Sequence, residues 1–344
     1  MNDNSPETRA TDPASLESTE VPAKMQAMLL HRYGSTENFV LGEIPSPTCK
    51  TDQVLIRVRA ACVNPIDWRI RSGSLRWILP ARFPLVLGFD VAGQIVEAGA
   101  EAKQRGWNPG DEVLCMLDNR HGGGYAEYAA AGADVLARKP SVHSFEEAAS
   151  IPLAASTALQ ALRDQAQLKP GHELLVNGAS GGVGTFAVQV GKALGAMVTG
   201  VCSDKNLDYV RELGADRVID YREKDFTSLE RVFDVIFDAA AKSSYSKCRR
   251  ILSPRGCFVT TVPSAGSLFS RVTTMLSQQR CRHILVRPNG KDLSWIARMI
   301  EEGRVRTEVQ QVYPLNEVAA AHTASETGHV RGKLVLSINA SSGQ

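Results

Sequence analysis

Four glycines, Gly178, Gly181, Gly182 and Gly184, have the spacing in this sequence that points most directly to chemistry. They lie in "LLVNGASGGVGTFAVQVGKALGA", Leu174 to Ala196, and leave the loop almost bare of side chains. Such a run after an apolar strand and before a helix lets the chain turn tightly and lets a pyrophosphate approach the backbone. The unpaired N–H groups of the helix start add positive potential for the phosphates. Ser180, Gly181, Gly182 and Val183 are therefore candidate contacts for a dinucleotide. Which dinucleotide depends on the end of the next strand, where an acid would accept the ribose hydroxyls and repel a 2′-phosphate. That position falls on Ser203, followed by Asp204, Lys205 and Asn206. Ser203, Lys205 and Asn206 offer donors and one cation to a 2′-phosphate, which favours NADPH over NADH. Asp204, one register step away, is the competing ribose acid, and Ser203 or Asp204 can equally cap the helix that follows.

Other constellations point away from chemistry. Seven cysteines are odd in number, scattered and free of C-x-x-C spacing, so neither a zinc knuckle nor a disulfide framework is expected and a reducing compartment fits. The seven histidines never pair at ligand spacing. "GASGG" is glycine-loop material rather than a serine elbow. The cluster Arg280, Arg282, His283 and Arg287 reads as a solvated basic edge, and a well-mixed net charge of +2 gives no field for nucleic acid. No apolar run approaches the roughly 20 residues of a membrane span. The opening "MNDNSPETRATDPASLESTEVPAK" lacks an apolar signal core and carries acids that transit peptides avoid. It is expected to be a disordered tail over residues 1–24 on a cytoplasmic protein.

Two rhythms must position the candidates. A chain of 344 residues, 43% apolar, has room for two domains. Residues 25–150 move in short β-type runs such as "QVLIRVRAACV", "VAGQIVEAG" and "PGDEVLCML", broken by Gly, Pro and Asp. From 151 to 288 strands and helices alternate: "HELLVNG", the helix "GVGTFAVQVGKALG", "AMVTGVC", the helix "DKNLDYVREL", then "DRVID", "DVIFDAA" and "GCFVTTV". That alternation indicates a parallel sheet covered on both faces. The β-texture returns over 289–344 in "TEVQQVYPL" and "GKLVLSI", so the doubly wound domain is inserted into the β-domain. The fold class is α/β.

The segments "ACVNPIDWRIRSG", "FPLVLGFDVAGQIVEAG", "GWNPGDEVLCM", "GGGYAEYAA", "ASIPLAASTALQAL", the glycine loop, "LGADRVIDYREKDF" and "GHVRGKLVL" occur in the order found in one family. The chain resembles the medium-chain dehydrogenase/reductase superfamily, within it the zinc-independent quinone oxidoreductase branch, from Ala27 to Ile338. The resemblance implies a GroES-like β-domain facing a Rossmann domain, with nicotinamide and substrate between them. It implies that Gly181, Gly182 and Val183 hold the pyrophosphate and that Thr157 lies near the nicotinamide. Ser203, Lys205 and Tyr221 fall in its 2′-phosphate pocket, and Arg331 and Lys333 in a C-terminal segment that reaches back to cofactor. A homodimer is also implied.

Against the zinc alcohol dehydrogenases of the superfamily, the cysteine ligand position reads Asn64 and the His-Glu pair reads Phe89-Asp90, which are poor zinc ligands. No metal is expected. Without a Lewis acid the favourable chemistry is hydride delivery from NADPH to a quinone or an α,β-unsaturated carbonyl. Asn64 is a candidate amide donor to the product oxygen, or a strut for local backbone. Asp67 is a candidate orienting group. Trp68, Arg69 and Phe89 are candidates for the substrate cleft, with Trp77 and Phe83 as further walls or core. The alternatives are an enoyl thioester reductase and a low-turnover NADPH-binding sensor.

Overall fold

The computed structural model describes residues 21–262, 270–274 and 277–338. The expected tail thus lies outside the described residues up to position 20, and its last residue, Lys24, already opens strand β1 (Lys24–Leu30). β1 sits between β2 (Phe39–Pro45) and β4 (Leu85–Val86) in a small sheet. The spine of the β-domain is β3 (Gln53–Val63), whose β-branched and apolar residues are buried along most of its length. It pairs antiparallel with β5 (Asp90–Ala98), β7 (Tyr128–Gly132) and β16 (Lys333–Ser337). β6 (Glu112–Met116) and β8 (Leu136–Arg138) extend the sheet beyond β5. β15 (Val309–Pro314) extends it beyond β16, running parallel to it. The C-terminal strands therefore complete the sheet begun by β3, and the intervening chain is an insertion.

That insertion is a six-stranded sheet of β9 (Glu173–Asn177), β10 (Met197–Cys202), β11 (Arg217–Asp220), β12 (Phe233–Asp238), β13 (Leu252–Thr260) and β14 (Arg280–His283). All are parallel, in the order β11-β10-β9-β12-β13-β14. The order reverses between β9 and β12, which opens a crevice beyond their C-terminal ends. The helix Gly182–Ala193 buries Phe186, Ala187 and Val190. Gly191 lets it lie close to the sheet, because a Cβ there would come within 2.6 Å of Leu174 Cδ2.

Three details differ from the sequence reading. The basic run "RCRH" is β14, the edge strand of the sheet, with Cys281 buried and its neighbours half-exposed. The chain after β10 enters its helix through a 3₁₀ turn, Asp204–Asn206, at whose start the Ser203 hydroxyl makes no capping bond. The helix Gly290–Glu301, expected to belong with the returning β-domain, packs on both β8 and the helix Pro152–Leu159. Its Gly290 N–H donates to Asp134 O at 2.8 Å, while Leu293, Ile296 and Met299 join the core around the glycine-loop helix.

Candidate functional site

β9 delivers the chain into the crevice at Asn177, and the turn that follows needs glycine for two separate reasons. Gly178 has φ +83°, a left-handed backbone. Gly184 packs so closely that a Cβ on it would lie 2.0 Å from Gly178 O. Gly181 is the N-cap of the helix Gly182–Ala193, with no side chain to satisfy the first turn. The initial N–H groups of a helix have no intrahelical acceptor, so here they are left for a ligand. A Cβ on Gly181 would meet only Gly178 O, at 3.5 Å. The loop is thus open where a pyrophosphate would lie, and the residues present fit the phosphates of a dinucleotide.

The C-terminal segment crosses this loop. Gly332 N–H donates to Ser180 O at 3.1 Å and pairs with Gly181 as a parallel bridge. The next residue, Lys333, begins β16 and is 4% exposed. Its stem passes Gly182, where an added Cβ would be 2.8 Å from Lys333 Cδ. Its ammonium donates to Asn64 Oδ1 in the β-domain. Lys333 therefore joins the two candidate sites physically.

Asn64 is fully buried at the start of the helix Pro65–Arg71. Its Nδ2 donates to Asp90 Oδ2 at 2.9 Å and its backbone N–H to Asp67 Oδ2 at 2.7 Å. Asp90 Oδ1 accepts Leu153 N–H at 2.9 Å, at the first turn of the helix that carries Thr157, whose hydroxyl returns to Leu153 O at 2.7 Å. Tyr125 OH donates to Asp67 Oδ2 at 3.1 Å and lies 3.3 Å from His322 Nε2. Burial pushes the Asp67 carboxyl up to about 7 and that of Asp90 up to about 6, the latter against the pull of Lys333. Asp67 Oδ1 is buried and unpartnered, so it can carry the proton without displacing either existing bond. Of the two roles expected of Asn64, donor to substrate or internal strut, the contacts favour the second: Nδ2 donates to Asp90 and Oδ1 accepts from Lys333.

The outer end of the crevice is polar. Asn206 Nδ2 ties Ser180 Oγ at 3.2 Å to Ser203 Oγ at 3.3 Å, so the glycine loop and the end of β10 are hydrogen-bonded together. Beside them a recess is lined by three bases, Lys205, Arg306 and Arg331, and three acids, Asp208, Glu212 and Glu308, around Tyr209, with Arg306 paired to Glu212 at 3.3 Å. The Arg331 guanidinium lies 5.0 Å over the Tyr209 ring and 2.8 Å from Glu308. Among the described residues Lys205 has no ion pair. Asp204 is the first residue of the 3₁₀ turn rather than a helix cap, and its Oδ1 lies 2.7 Å from Arg222 Nη1. Tyr221, half-exposed, follows β11 next to Cys202, whose carbonyl accepts its N–H.

Ser180, Gly181, Gly182, Val183, Thr157, Lys333, Asn64 and Asp67 are thus brought to one connected region, with Ser203 and Asn206 attached. Lys205 and Arg331 meet in the recess at its outer end. Trp68 is half-buried with the Arg69 guanidinium 5.3 Å over its ring. Phe89 joins the β-domain core, and its neighbour Asp90 supplies the network. Trp77 is 86% exposed, and Phe83 packs edge-on against Tyr33. Sequence reasoning missed Tyr125, His322 and Arg222. Only Arg222 had a local signal, its place beside Tyr221.

Residues 50–141 match the family model for the alcohol dehydrogenase GroES-like domain, and residues 213–336 the model for zinc-binding dehydrogenases. The chain is 33% identical over 305 residues to a chloroplast envelope quinone oxidoreductase homolog of Arabidopsis thaliana, covering 86% of this chain and 92% of that one. It is 33% identical over 362 residues to the mitochondrial NAD(P)H oxidoreductase RTN4IP1 of Mus musculus, covering 91% and 89%. The structure of a quinone oxidoreductase from Coxiella burnetii superposes with a TM-score of 0.84 at 32% identity, over 92% of this chain and all of that one. The plant and mouse relatives are named for the chloroplast and the mitochondrion, so they give the cytoplasmic expectation no support. No helix among the described residues is long and apolar enough to cross a membrane.

The second family model is named for zinc, and the groups around Asn64 do not fit that ion. Phe89 has no donor atom, the Asn64 amide is committed, and a lysine ammonium already stands against it. The Cys62 thiol lies in β3 and is hydrogen-bonded to Leu334 O at 3.2 Å.

Proposed function

As a member of the medium-chain dehydrogenase/reductase superfamily, in its quinone oxidoreductase-like branch, the chain is an oxidoreductase, and we propose that it passes hydride from NADPH to a quinone or an α,β-unsaturated carbonyl without zinc. The observation that carries this reading is the set of groups around the Asn64 amide: the Lys333 ammonium and the raised carboxyls of Asp67 and Asp90. Bound reduced nicotinamide would supply the hydride. The protein's part is to bind, align and exclude water. Gly182 and Val183 present N–H groups to the pyrophosphate, Gly181, whose own N–H donates to Gly178 O at 3.1 Å, leaves it room, and Thr157, fixed by its bond to Leu153 O, borders the nicotinamide. Lys333, held between loop and strut, contributes a fixed positive charge beside the cleft, where negative charge develops on the acceptor oxygen. Trp68 and Arg69 would line the substrate side.

The NADPH preference rests on Lys205 and Arg331 in the outer recess, on Ser203, and on an Asp204 carboxylate that is paired with Arg222. The test is to follow nicotinamide absorbance with either cofactor and a panel of quinones, enones and enoyl thioesters. Oxidation of NADPH by a quinone or enone is expected. Turnover with enoyl thioesters alone, or tight NADPH binding with no acceptor used, would overturn the reading in favour of a thioester reductase or a sensor.

A further inference from the structure

Asp204 occupies the stretch where a nucleotide-binding sheet chooses its cofactor, just past the last residue of β10 and between Ser203 and Lys205. A carboxylate there ordinarily accepts bonds from a free ribose and repels a 2′-phosphate. In this chain the carboxylate is held at 2.7 Å by Arg222, and both side chains are about half exposed. Arg222 comes from the turn after β11, where its own N–H is anchored on Asp220 Oδ1 at 2.9 Å. That anchor sets the guanidinium across the gap to the exit of β10. An exposed ion pair of this kind does little for folding stability. Its consequence is local: the carboxylate between Ser203 and Lys205 is paired with a cation, and Asp204 is not among the residues that line the recess with Lys205 and Arg331.

We propose that Arg222 is a specificity-determining positioning residue that acts through Asp204, keeping that carboxylate from opposing a 2′-phosphate. The inference rests on the NADPH reading above and deepens it. With Arg222 removed, an anion lies free beside a doubly charged phosphate. Across a few ångströms of water, repulsion between these charges corresponds to about a five- to tenfold loss of affinity.

The experiment measures the affinities and KM values of NADPH and NADH for wild type, Arg222→Met, Asp204→Asn and the double variant. Arg222→Met is expected to weaken NADPH about five- to tenfold and to leave NADH unchanged or tighter. Asp204→Asn in the same chain is expected to return the NADPH/NADH ratio to near the wild-type value. The shift should shrink as ionic strength rises, while the thermal midpoint stays put. An unchanged ratio in Arg222→Met overturns the proposal. So does a loss that Asp204→Asn fails to rescue, because Arg222 would then be touching the phosphate itself. The wild-type ratio separately judges the underlying reading: a preference for NADH overturns that, whereas the change between wild type and variant judges Arg222.

Discussion

Replacing Gly181 by alanine separates what the loop does for the fold from what it does for a ligand. Residue 181 has φ −81° and ψ 172°, a conformation open to alanine. Its Cβ would meet only Gly178 O, at 3.5 Å, an ordinary contact. Unfolding free energy is therefore expected to move by less than about 0.5 kcal/mol. The same methyl stands on the open side of the loop and holds a pyrophosphate off the N–H groups of the helix start. One lost charge-assisted hydrogen bond costs about 1.5–3 kcal/mol, so NADPH affinity should fall roughly tenfold to a hundredfold. Gly184→Ala is the control. Its Cβ would lie 2.0 Å from the Gly178 carbonyl oxygen, backbone that cannot swing aside. It should destabilise the free protein by about 1–3 kcal/mol. Denaturant titrations give the stabilities, and fluorescence titration with NADPH gives the affinities. Wild-type affinity in Gly181→Ala would refute the reasoning, as would a loss of stability matching that of Gly184→Ala.

Two further outcomes concern the buried network. Lys333→Met deprives Asn64 Oδ1 of its donor and Asp90 of its neighbouring cation; a denaturant titration should show a loss of about 1.5–3 kcal/mol, partly recovered by Lys333→Arg, and a change below about 0.5 kcal/mol would contradict the role. Burial pushes the Asp67 carboxyl up to about 7, above its unfolded value of about 3.9, so the native state keeps a proton that the unfolded chain has released. This contribution to stability is complete below about pH 4 and is lost as pH rises through about 7. Asp67→Asn should flatten the decline of the thermal midpoint across that window, and equal slopes in the two proteins would count against the raised carboxyl.

Local features carried most of what the sequence revealed. The glycine loop was legible because strand, bare turn and helix follow one another within a few residues, and their periodicities differ. The β14 strand was not, because three of the four residues in "RCRH" are polar and only Cys281 is buried. Phe89 lies just before β5 and packs into the β-domain core, whereas Asp90, the first residue of β5, enters the network. Lys333 and Asn64 are 269 positions apart, and their contact exists only because β16 pairs with β3. Tyr125 and His322 meet over 197 positions with no pattern to announce it. Which way Asp204 points was likewise invisible, because a side-chain rotamer and a partner 18 residues away decide it.

The most direct test concerns the metal-free cleft. Purified protein would be assayed for oxidation of NADPH by a quinone and by an enone, before and after exhaustive chelation, with zinc content measured in the same samples. Turnover that is unchanged by chelation, in protein holding far less than stoichiometric zinc, is the predicted result. Activity that vanishes with the chelator and returns on adding zinc would contradict the account.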